Sequence, residues 1–341
     1  MARLTSFSRL LITLAIIAGV YFAVKTFLPR FTNSSSPETT TQTEVSNDGA
    51  TTADNRQVNA PPQSSSWGKG GAQAFNYTAP EPVNGKLKGV VELGATGFNS
   101  FIIKVDAQKN WSLEKAEYGA SLVYESLVTD DDIKSGLKNY IADMVAYGVG
   151  PKNIHFVISS GAKKVPVTTK ISNLLKAMGY FVNEVTPEQE AKLALKACLP
   201  RGFESKAFVV DIGSGNTKIS WISGGITSGI ELPGAKYYQN NMSDNAVAQE
   251  VSAKARQVPA NLRSTCFIIG GVPFELAKQV RASKEERYTL LKAPGDYKAD
   301  GEKQKAGLNI YQNIADATGC RQFVFDWDAN FTIGFLLNLP G

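Results

Sequence analysis

The chain has 341 residues, of which 43% are hydrophobic, and it carries a formal net charge of +5 with a pI near 8.9. This length is sufficient to bury at least one core. Basic residues alternate with acidic ones and are not interleaved with aromatic residues, so we expect no nucleic-acid partner. The single histidine, His155, excludes sites built from several histidines and nucleophiles that depend on a histidine base.

The amino-terminal segment is strongly apolar. Leu10–Val24 is uncharged, and Lys25 can extend its side chain toward the interface, so the segment approaches the roughly 20 residues that cross a bilayer. A cleavage site after Ala23 would require a small residue where Tyr21 stands, which argues against a signal peptide. We therefore expect residues 1–31 to form an uncleaved membrane anchor.

The charges that flank this segment decide its orientation only weakly. Arg3 and Arg9 precede it, and Lys25 and Arg30 lie at its far end, so the positive charges are nearly balanced. The free amine and the short tail favour an amino terminus inside the cell. We expect a single-pass protein of the cell membrane whose remaining residues are extracytoplasmic, with the opposite orientation left open.

Residues 32–80 are rich in serine, threonine, asparagine, glutamine and proline, and contain few aliphatic residues. Such a segment cannot bury enough apolar surface to offset the entropy of ordering, so a disordered linker is predicted. The folded part is then expected to comprise a first lobe over residues 81–200 and a second lobe over residues 201–341.

The three cysteines, Cys198, Cys266 and Cys320, are odd in number and have apolar neighbours. They are predicted to be buried free thiols, and neither a disulfide framework nor a metal cluster is indicated. His155 stands inside the apolar run Ile154–Ile158, where a packed strand residue is a better interpretation than a catalytic base.

One sequence pattern occurs twice, in Val90–Gly97 and in Val209–Asn216. Each copy predicts a buried strand that ends in a carboxylate, followed by a glycine-containing turn and a return strand, Phe98–Val105 or Thr217–Ile222. Glycines leave backbone N–H groups free to face an anion. A single copy would be read as an ordinary hairpin. Two copies in the same register predict two related lobes that hold a polyphosphate between their equivalent central strands.

Strands and helices alternate between the two copies. Thr129–Asp132 is a capping signal for an amphipathic helix that ends at Gly148. A strand over Ile154–Ser159 follows, and then a helix through Ile171–Lys176 that ends near Gly179. This order predicts a mainly parallel sheet with helices on its faces.

A second helix start precedes the second copy. Thr186 is predicted to cap it, with Pro187 in the first helical position and Gln189 closing a capping box. Glu190 then lies in the first turn, where a carboxylate usually serves the helix dipole. Beside a phosphate-binding loop it could instead orient a water molecule as a general base.

The order and spacing of these segments resemble the exopolyphosphatase and guanosine pentaphosphate phosphohydrolase family (Ppx/GppA), part of the superfold that actin, sugar kinases and heat-shock chaperones share. The matching segments are Glu92–Ala95, Ser159–Lys163, Gln189–Leu193, Asp211–Thr217, Phe267–Gly271 and Asn330–Leu337. The resemblance implies a two-lobed actin-like ATPase (ribonuclease H-like) α/β fold with duplicated β-hairpin phosphate loops.

The resemblance also implies an activity, namely hydrolysis of terminal phosphoanhydride bonds in polyphosphate or a hyperphosphorylated guanine nucleotide. Glu190 would orient or deprotonate the attacking water, and Glu92 and Asp211 would hold Mg²⁺. The implied phosphate-binding residues are Gly94, Ala95, Lys163, Gly213, Ser214, Gly215, Asn216, Thr217, Lys218, Gly270 and Gly271. A homodimer is a further expectation.

The chain departs from the family pattern at four places. In the first loop, Glu92 and Ala95 replace an aspartate and a serine. Lys218 replaces a glutamate, and Lys163 replaces an arginine. The fourth place is the closing segment, where the family's glutamate is not evident. Because a lysine replaces an acid near the expected Mg²⁺ site, a second interpretation stays open: a catalytically inactive relative that binds a phosphorylated ligand or a protein partner through the same cleft. An actin-like filament or scaffold protein is the third.

Overall fold

The structure, a computed structural model, describes residues 75–94, 97–118, 129–164, 166–283 and 286–340. The predicted anchor over residues 1–31 and the linker as far as residue 74 lie outside these ranges. Within the described ranges, no helix combines the length and the apolar character needed to cross a membrane.

The strands of the described residues are β1 (Lys86–Gly94), β2 (Gly97–Val105), β3 (Trp111–Tyr118), β4 (Ile154–Ile158), β5 (Val182–Glu184), β6 (Ala207–Ile212), β7 (Asn216–Ser223), β8 (Ile226–Pro233), β9 (Thr265–Ile269), β10 (Tyr288–Leu290) and β11 (Phe323–Asp326). The α-helices are α1 (Asp130–Tyr147), α2 (Pro166–Ala177), α3 (Pro187–Cys198), α4 (Asp244–Ala255), α5 (Gly271–Lys278), α6 (Gly301–Thr318) and α7 (Phe331–Asn338).

The strands form two sheets with related topologies. The first sheet has the order β3-β2-β1-β4-β5, and the second has the order β8-β7-β6-β9-β11-β10. In the first, β1 pairs antiparallel with β2 and parallel with β4. In the second, β6 pairs antiparallel with β7 and parallel with β9. The two copies of the repeated pattern thus lie in equivalent central strands of separate sheets, as the sequence predicts, although these strands begin earlier, at Lys86 and Ala207.

Helices cover both sheets. One apolar cluster joins α1 and α2 to the first sheet, and another joins α4, α5 and α6 to the second. The third cluster contains residues of both sheets together with α3 and α7, so these two helices belong to the core that the sheets share. The last helix, α7, packs on α3 and also on β1 of the first sheet. The chain therefore returns to the first sheet at its end.

The predicted helices between the two hairpins are present. The helix predicted after Thr129 is α1, and the one through Ile171–Lys176 lies within α2. At the start of α3, the Gln189 N–H donates to Thr186 Oγ1 at 3.2 Å, and the Thr186 N–H donates to Gln189 Oε1 at 2.9 Å. The predicted capping box is therefore confirmed, and it fixes Glu190 in the first turn of α3.

The three cysteines are free and buried, as predicted. His155 lies on β4 with its ring centroid 5.8 Å from that of Phe335, and burial lowers the pKa of its imidazole. It is a packing residue, as the sequence indicates.

The boundary predicted between linker and folded body is wrong by several residues. Phe75 and Tyr77, which were assigned to the linker, pack against the shared core. The Phe75 ring centroid lies 5.5 Å from those of Phe203, Phe267 and Tyr288. Because aromatic contacts of this kind bury a large apolar area, the folded body includes residue 75 and does not begin at residue 81.

Candidate functional site

A cleft of about 360 Å³ lies where the carboxyl ends of β1, β4, β6 and β9 meet. Ligands of α/β proteins commonly bind at this position. Its lining includes Glu92, Gly94, Asn99, Tyr118, Glu190, Asp211, Gly213, Ser214, Gly215, Asn216, Lys218, Gly270, Gly271, Phe274, Lys303, Asp326, Trp327 and Asn330.

The turn after β6 is held rigidly by its own backbone. The Gly213 N–H donates to the Asn216 carbonyl oxygen at 3.1 Å, and the Gly213 carbonyl oxygen accepts from the Ala235 N–H at 2.9 Å. Gly234 packs directly on this turn, since a Cβ there would lie 2.3 Å from the Asn216 nitrogen. The turn is thus preorganised, and Gly213, Ser214 and Gly215 present a backbone free of bulky side chains to the cleft.

A helix N-terminus faces the same space. Gly270 has φ +107°, and a Cβ there would lie 2.3 Å from the Ile212 carbonyl oxygen, so this position requires glycine. Gly271 follows as the first residue of α5 and also lines the cleft. The unpaired N–H groups and the dipole of α5 favour an anion here.

Glu190 is engaged in a buried polar network. Its Oε2 accepts hydrogen bonds from the Ser160 backbone N–H at 2.9 Å and from the Ser160 hydroxyl. Its Oε1 is bonded to Lys218 Nζ in an ion pair, with 3% of the Glu190 side chain and 4% of the Lys218 side chain exposed. Both carboxylate oxygens therefore have strong protein partners.

Asn216 extends this network to the next strand. Its Nδ2 donates to Ser160 Oγ at 2.9 Å and to Glu231 Oε1 at 2.7 Å. Because Asn216 and Lys218 both lie on β7 two residues apart, they face the same side of the strand. The turn of the second sheet is thereby linked through Ser160 to the end of β4 in the first sheet.

Lys218 also neutralises the carboxylate of β6. Asp211 and Lys218 are directly opposed in the antiparallel pairing of β6 and β7, so their side chains lie on the same face. Burial alone would lower the pKa of Lys218, but the attraction of Asp211 and Glu190 outweighs it and raises that pKa. Lys218 therefore keeps its charge at neutral pH. Burial raises the pKa of Asp211 to about 6, although Lys218 opposes this shift.

Glu92 is the corresponding carboxylate of the first sheet, and it lies opposite Asn99 in the pairing of β1 and β2. Its Oε2 accepts from Asn99 Nδ2 at 3.0 Å and from Asn330 Nδ2 at 3.1 Å. Burial raises the pKa of Glu92 to about 7 despite these hydrogen bonds. Near neutral pH a substantial fraction of Glu92 is protonated.

This shift predicts that the free energy of unfolding falls as the pH rises. Below its ordinary pKa of 4.5, Glu92 is protonated in both states; between 4.5 and about 7 only the folded state retains the proton. A shift of one pKa unit corresponds to about 1.4 kcal/mol, so Glu92 should lower the free energy of unfolding by roughly 3 kcal/mol as the pH rises through this range, and the Glu92→Gln substitution should abolish that decrease. Urea unfolding of residues 75–341 at pH 5 and pH 7.5 measures the decrease in each variant. The matched Glu81→Gln variant, at an exposed position, should keep the pH dependence of the wild type. If the free energy of unfolding changed equally with pH in all three proteins, the prediction would be contradicted.

The residues present fit a divalent cation poorly. Both oxygens of Glu190 are engaged, one oxygen of Glu92 accepts from two asparagines, and the ammonium of Lys218 stands beside Asp211. Among the described residues, no three acidic, histidine or cysteine side chains are arranged to hold one metal ion. The Mg²⁺ that the resemblance implies would therefore have to compete with Lys218 for Glu190 and Asp211.

The predicted site residues divide into two groups. The cleft brings together Glu92, Gly94, Glu190, Asp211, Gly213, Ser214, Gly215, Asn216, Lys218, Gly270 and Gly271. Thr217 is fully buried and does not line the cleft, because it alternates along β7 with Asn216 and Lys218. Lys163 is not among the lining residues either, and its Nζ is paired with Glu184 at 3.4 Å. Ala95 lies outside the described residues.

Several lining residues were not identified from the sequence. Lys303, near the start of α6, brings a second ammonium to the cleft beside Gly271. Tyr118, Phe274 and Trp327 form an aromatic wall, with ring centroids 5.9 Å apart for the first two and 5.4 Å apart for the last two. Their positions depend on long-range packing, and no local pattern indicates them.

The fold resembles solved structures of Ppx/GppA proteins. The Aquifex aeolicus member of the Ppx/GppA protein family matches with a TM-score of 0.55 at 17% identity, covering 74% of this chain and 96% of that chain. An Aquifex aeolicus PPX-GPPA enzyme matches with a TM-score of 0.56 at 16% identity, covering 74% and 99%. An exopolyphosphatase from Cytophaga hutchinsonii matches with a TM-score of 0.58 at 11% identity, covering 74% and 96%.

Sequence comparison adds nothing to this similarity: no family model matches the chain, and no match is found among curated proteins. At identities this low, the structural likeness shows the fold alone. The described part of the chain has the mixed α/β, two-sheet fold of the Ppx/GppA structures, which confirms the actin-like fold predicted from the sequence.

Proposed function

We propose that the chain binds a phosphorylated ligand, polyphosphate or a highly phosphorylated nucleotide, in the cleft between its two sheets, and that it does not cleave this ligand through Glu190. The turn at Gly213–Gly215, the N-terminus of α5, and the ammonium groups of Lys218 and Lys303 all face the cleft. Such groups bind phosphate through backbone N–H donors and fixed positive charge.

The observation that carries the proposal is the buried ion pair between Lys218 and Glu190. A general base needs a free lone pair within hydrogen-bond reach of the water it activates. Lys218 engages one oxygen of Glu190 and Ser160 engages the other with two donors, so three of about four acceptor positions are taken. Releasing Glu190 would leave a buried charge without its partner, which is costly. The arrangement therefore favours binding over hydrolysis.

Hydrolysis of a phosphoanhydride bond is the second candidate. The fold is shared with proteins described as phosphatases and exopolyphosphatases. Asp211, Glu92 and Glu190 also line the same cleft. In this alternative, Lys218 would have to leave Glu190 when the ligand enters, so that the carboxylate could orient water.

A phosphate-release assay run beside a binding measurement separates the two candidates. A domain that comprises residues 75–341 is incubated with polyphosphate or guanosine pentaphosphate, with and without Mg²⁺, and phosphate release is measured. Calorimetry measures binding of the same ligands. We expect binding without phosphate release. The Glu190→Gln variant should retain an affinity within a few-fold of wild type, because glutamine keeps the size of the side chain and Lys218 keeps its charge beside Asp211.

The hydrolase candidate makes the opposite prediction. Phosphate release by the wild type that falls about 10²- to 10⁴-fold in Glu190→Gln would identify Glu190 as a general base and overturn the binding-only proposal. If neither polyphosphate nor guanosine pentaphosphate bound to the wild type or to Glu190→Gln, the phosphate-binding function itself would be refuted.

Membrane attachment through residues 1–31 is part of the proposal, with the folded body on the extracytoplasmic side. It rests on the apolar run Leu10–Val24. The full chain should remain with the membrane fraction after carbonate washing, whereas a chain that starts at Phe75 should not. A reporter enzyme fused after Gly341 then tests the orientation.

A further inference from the structure

We propose that the ammonium group of Lys218 takes the electrostatic place of a divalent cation, so that this cleft binds its phosphorylated ligand without Mg²⁺. The inference rests on the proposed phosphate-binding function and adds to it the ionic requirement of the site.

Lys218 is the common counter-ion of three acids in the cleft, whereas a fourth, Asp326, is paired with Arg287. It forms an ion pair with Glu190, opposes Asp211 across the paired strands, and is also attracted by Glu92. A divalent cation would be placed among the same carboxylates for the same reason. A fixed ammonium already there repels a second cation and lowers the negative charge that would attract it.

The carboxylates are also largely engaged. At Glu190, Lys218 and the two Ser160 donors take three of about four acceptor positions. Glu92 accepts from Asn99 and Asn330 through one oxygen, which leaves its other oxygen for coordination. Asp211 has no hydrogen bond to a described residue, but Lys218 lies opposite it on the neighbouring strand and competes with a cation for its charge.

The groups that remain can bind a phosphate directly. An ammonium has three N–H donors, and one of those of Lys218 is hydrogen-bonded to Glu190. Lys303 supplies a second cation from α6, and the turn at Gly213–Gly215 together with the N-terminus of α5 supplies backbone donors. These donors converge on one cavity without a bridging metal.

Calorimetry with inorganic tripolyphosphate tests the proposal on the domain of residues 75–341. The affinity in EDTA should lie within about threefold of that in excess Mg²⁺, or exceed it, because Mg²⁺ masks the charge of the free ligand. Lys218→Met should weaken binding in EDTA by about tenfold or more, since a charge-assisted hydrogen bond is lost. The matched Lys305→Met variant, at a surface position with 58% of the side chain exposed, should bind like wild type.

Lys218→Glu provides a test in the opposite direction. The introduced carboxylate would join Asp211 and Glu92, so tripolyphosphate binding should become dependent on Mg²⁺. Direct titration with Mn²⁺, followed by electron paramagnetic resonance, should show metal binding to this variant and none to wild type at the same concentration.

If Lys218→Met fails to fold, the double variant Lys218→Met/Glu190→Gln still tests the inference, because it eliminates both charges of the buried pair. This variant should fold, and it should bind tripolyphosphate about tenfold or more weakly than wild type. Wild-type binding only in the presence of Mg²⁺, or Mn²⁺ binding by wild type, would overturn the inference while leaving the phosphate-binding function in place. The absence of binding in either buffer would overturn both.

Discussion

Replacing Lys218 with methionine is expected to lower the free energy of unfolding by about 3 to 5 kcal/mol at pH 7.5, the cost typical of a buried charge that loses its partner. Only 3% of the Glu190 side chain is exposed, so water cannot replace the lost ammonium. The Glu190 carboxylate is then left without its counter-charge in a buried position. Urea unfolding of wild type and Lys218→Met at pH 7.5 measures the loss.

Two further variants show whether this loss comes from the unpaired charge. The double variant Lys218→Met/Glu190→Gln should regain most of the stability, because the charge left behind in the single variant is then removed as well. Lys305→Met, the exposed control, should change the free energy of unfolding by no more than about 0.5 kcal/mol. If the double variant were no more stable than Lys218→Met, the loss would have to be assigned to packing.

Gly334→Ala is expected to cost about 4 kcal/mol or more, or to prevent folding, because it would separate the two helices of the shared core. A Cβ at Gly334 on α7 would lie 1.9 Å from the carbonyl oxygen of Leu193 on α3, a distance that no side-chain rearrangement relieves. The clash outweighs the gain of about 1 kcal/mol that alanine normally brings within a helix.

The matched control is Gly295→Ala. Nothing lies within 4 Å of a Cβ at Gly295, and its backbone conformation is open to other residues. Thermal unfolding followed by circular dichroism should give a nearly unchanged midpoint for Gly295→Ala and a large decrease for Gly334→Ala. Similar midpoints for the two variants would show that α3 and α7 can move apart at little cost.

Local patterns in the sequence predicted the elements that hold the cleft. The repeated strand and turn, with its carboxylate and glycines, gave the equivalent positions of β1 and β6, and the box formed by Thr186 and Gln189 gave the start of α3. These features depend on residues close together in the chain. The alternation of side chains along a strand would also have shown that Thr217 faces away from Asn216 and Lys218.

The pairing of Lys218 with Glu190 could not be predicted in the same way. The two residues lie on different elements, a strand and a helix, and meet because α3 packs against β7. The resemblance to the Ppx/GppA family implies a ligand contact for Lys218 and a general base for Glu190. Their mutual neutralisation depends on tertiary packing, and it changes which function the cleft supports.

The position of Phe75 and Tyr77 determines how far from the cleft the chain enters the folded body. Tyr77 lies in a pocket beside Cys198 and Leu199 at the carboxyl end of α3, whereas Glu190 stands eight residues earlier in the first turn. With a rise of about 1.5 Å per residue, roughly 12 Å of helix separates the point where the preceding chain joins the body from the site where the ligand binds. A surface or fusion partner attached ahead of Phe75 would thus join the body near the end of α3 opposite to Glu190, and we expect a domain immobilised by its amino terminus to bind the ligand as it does in solution.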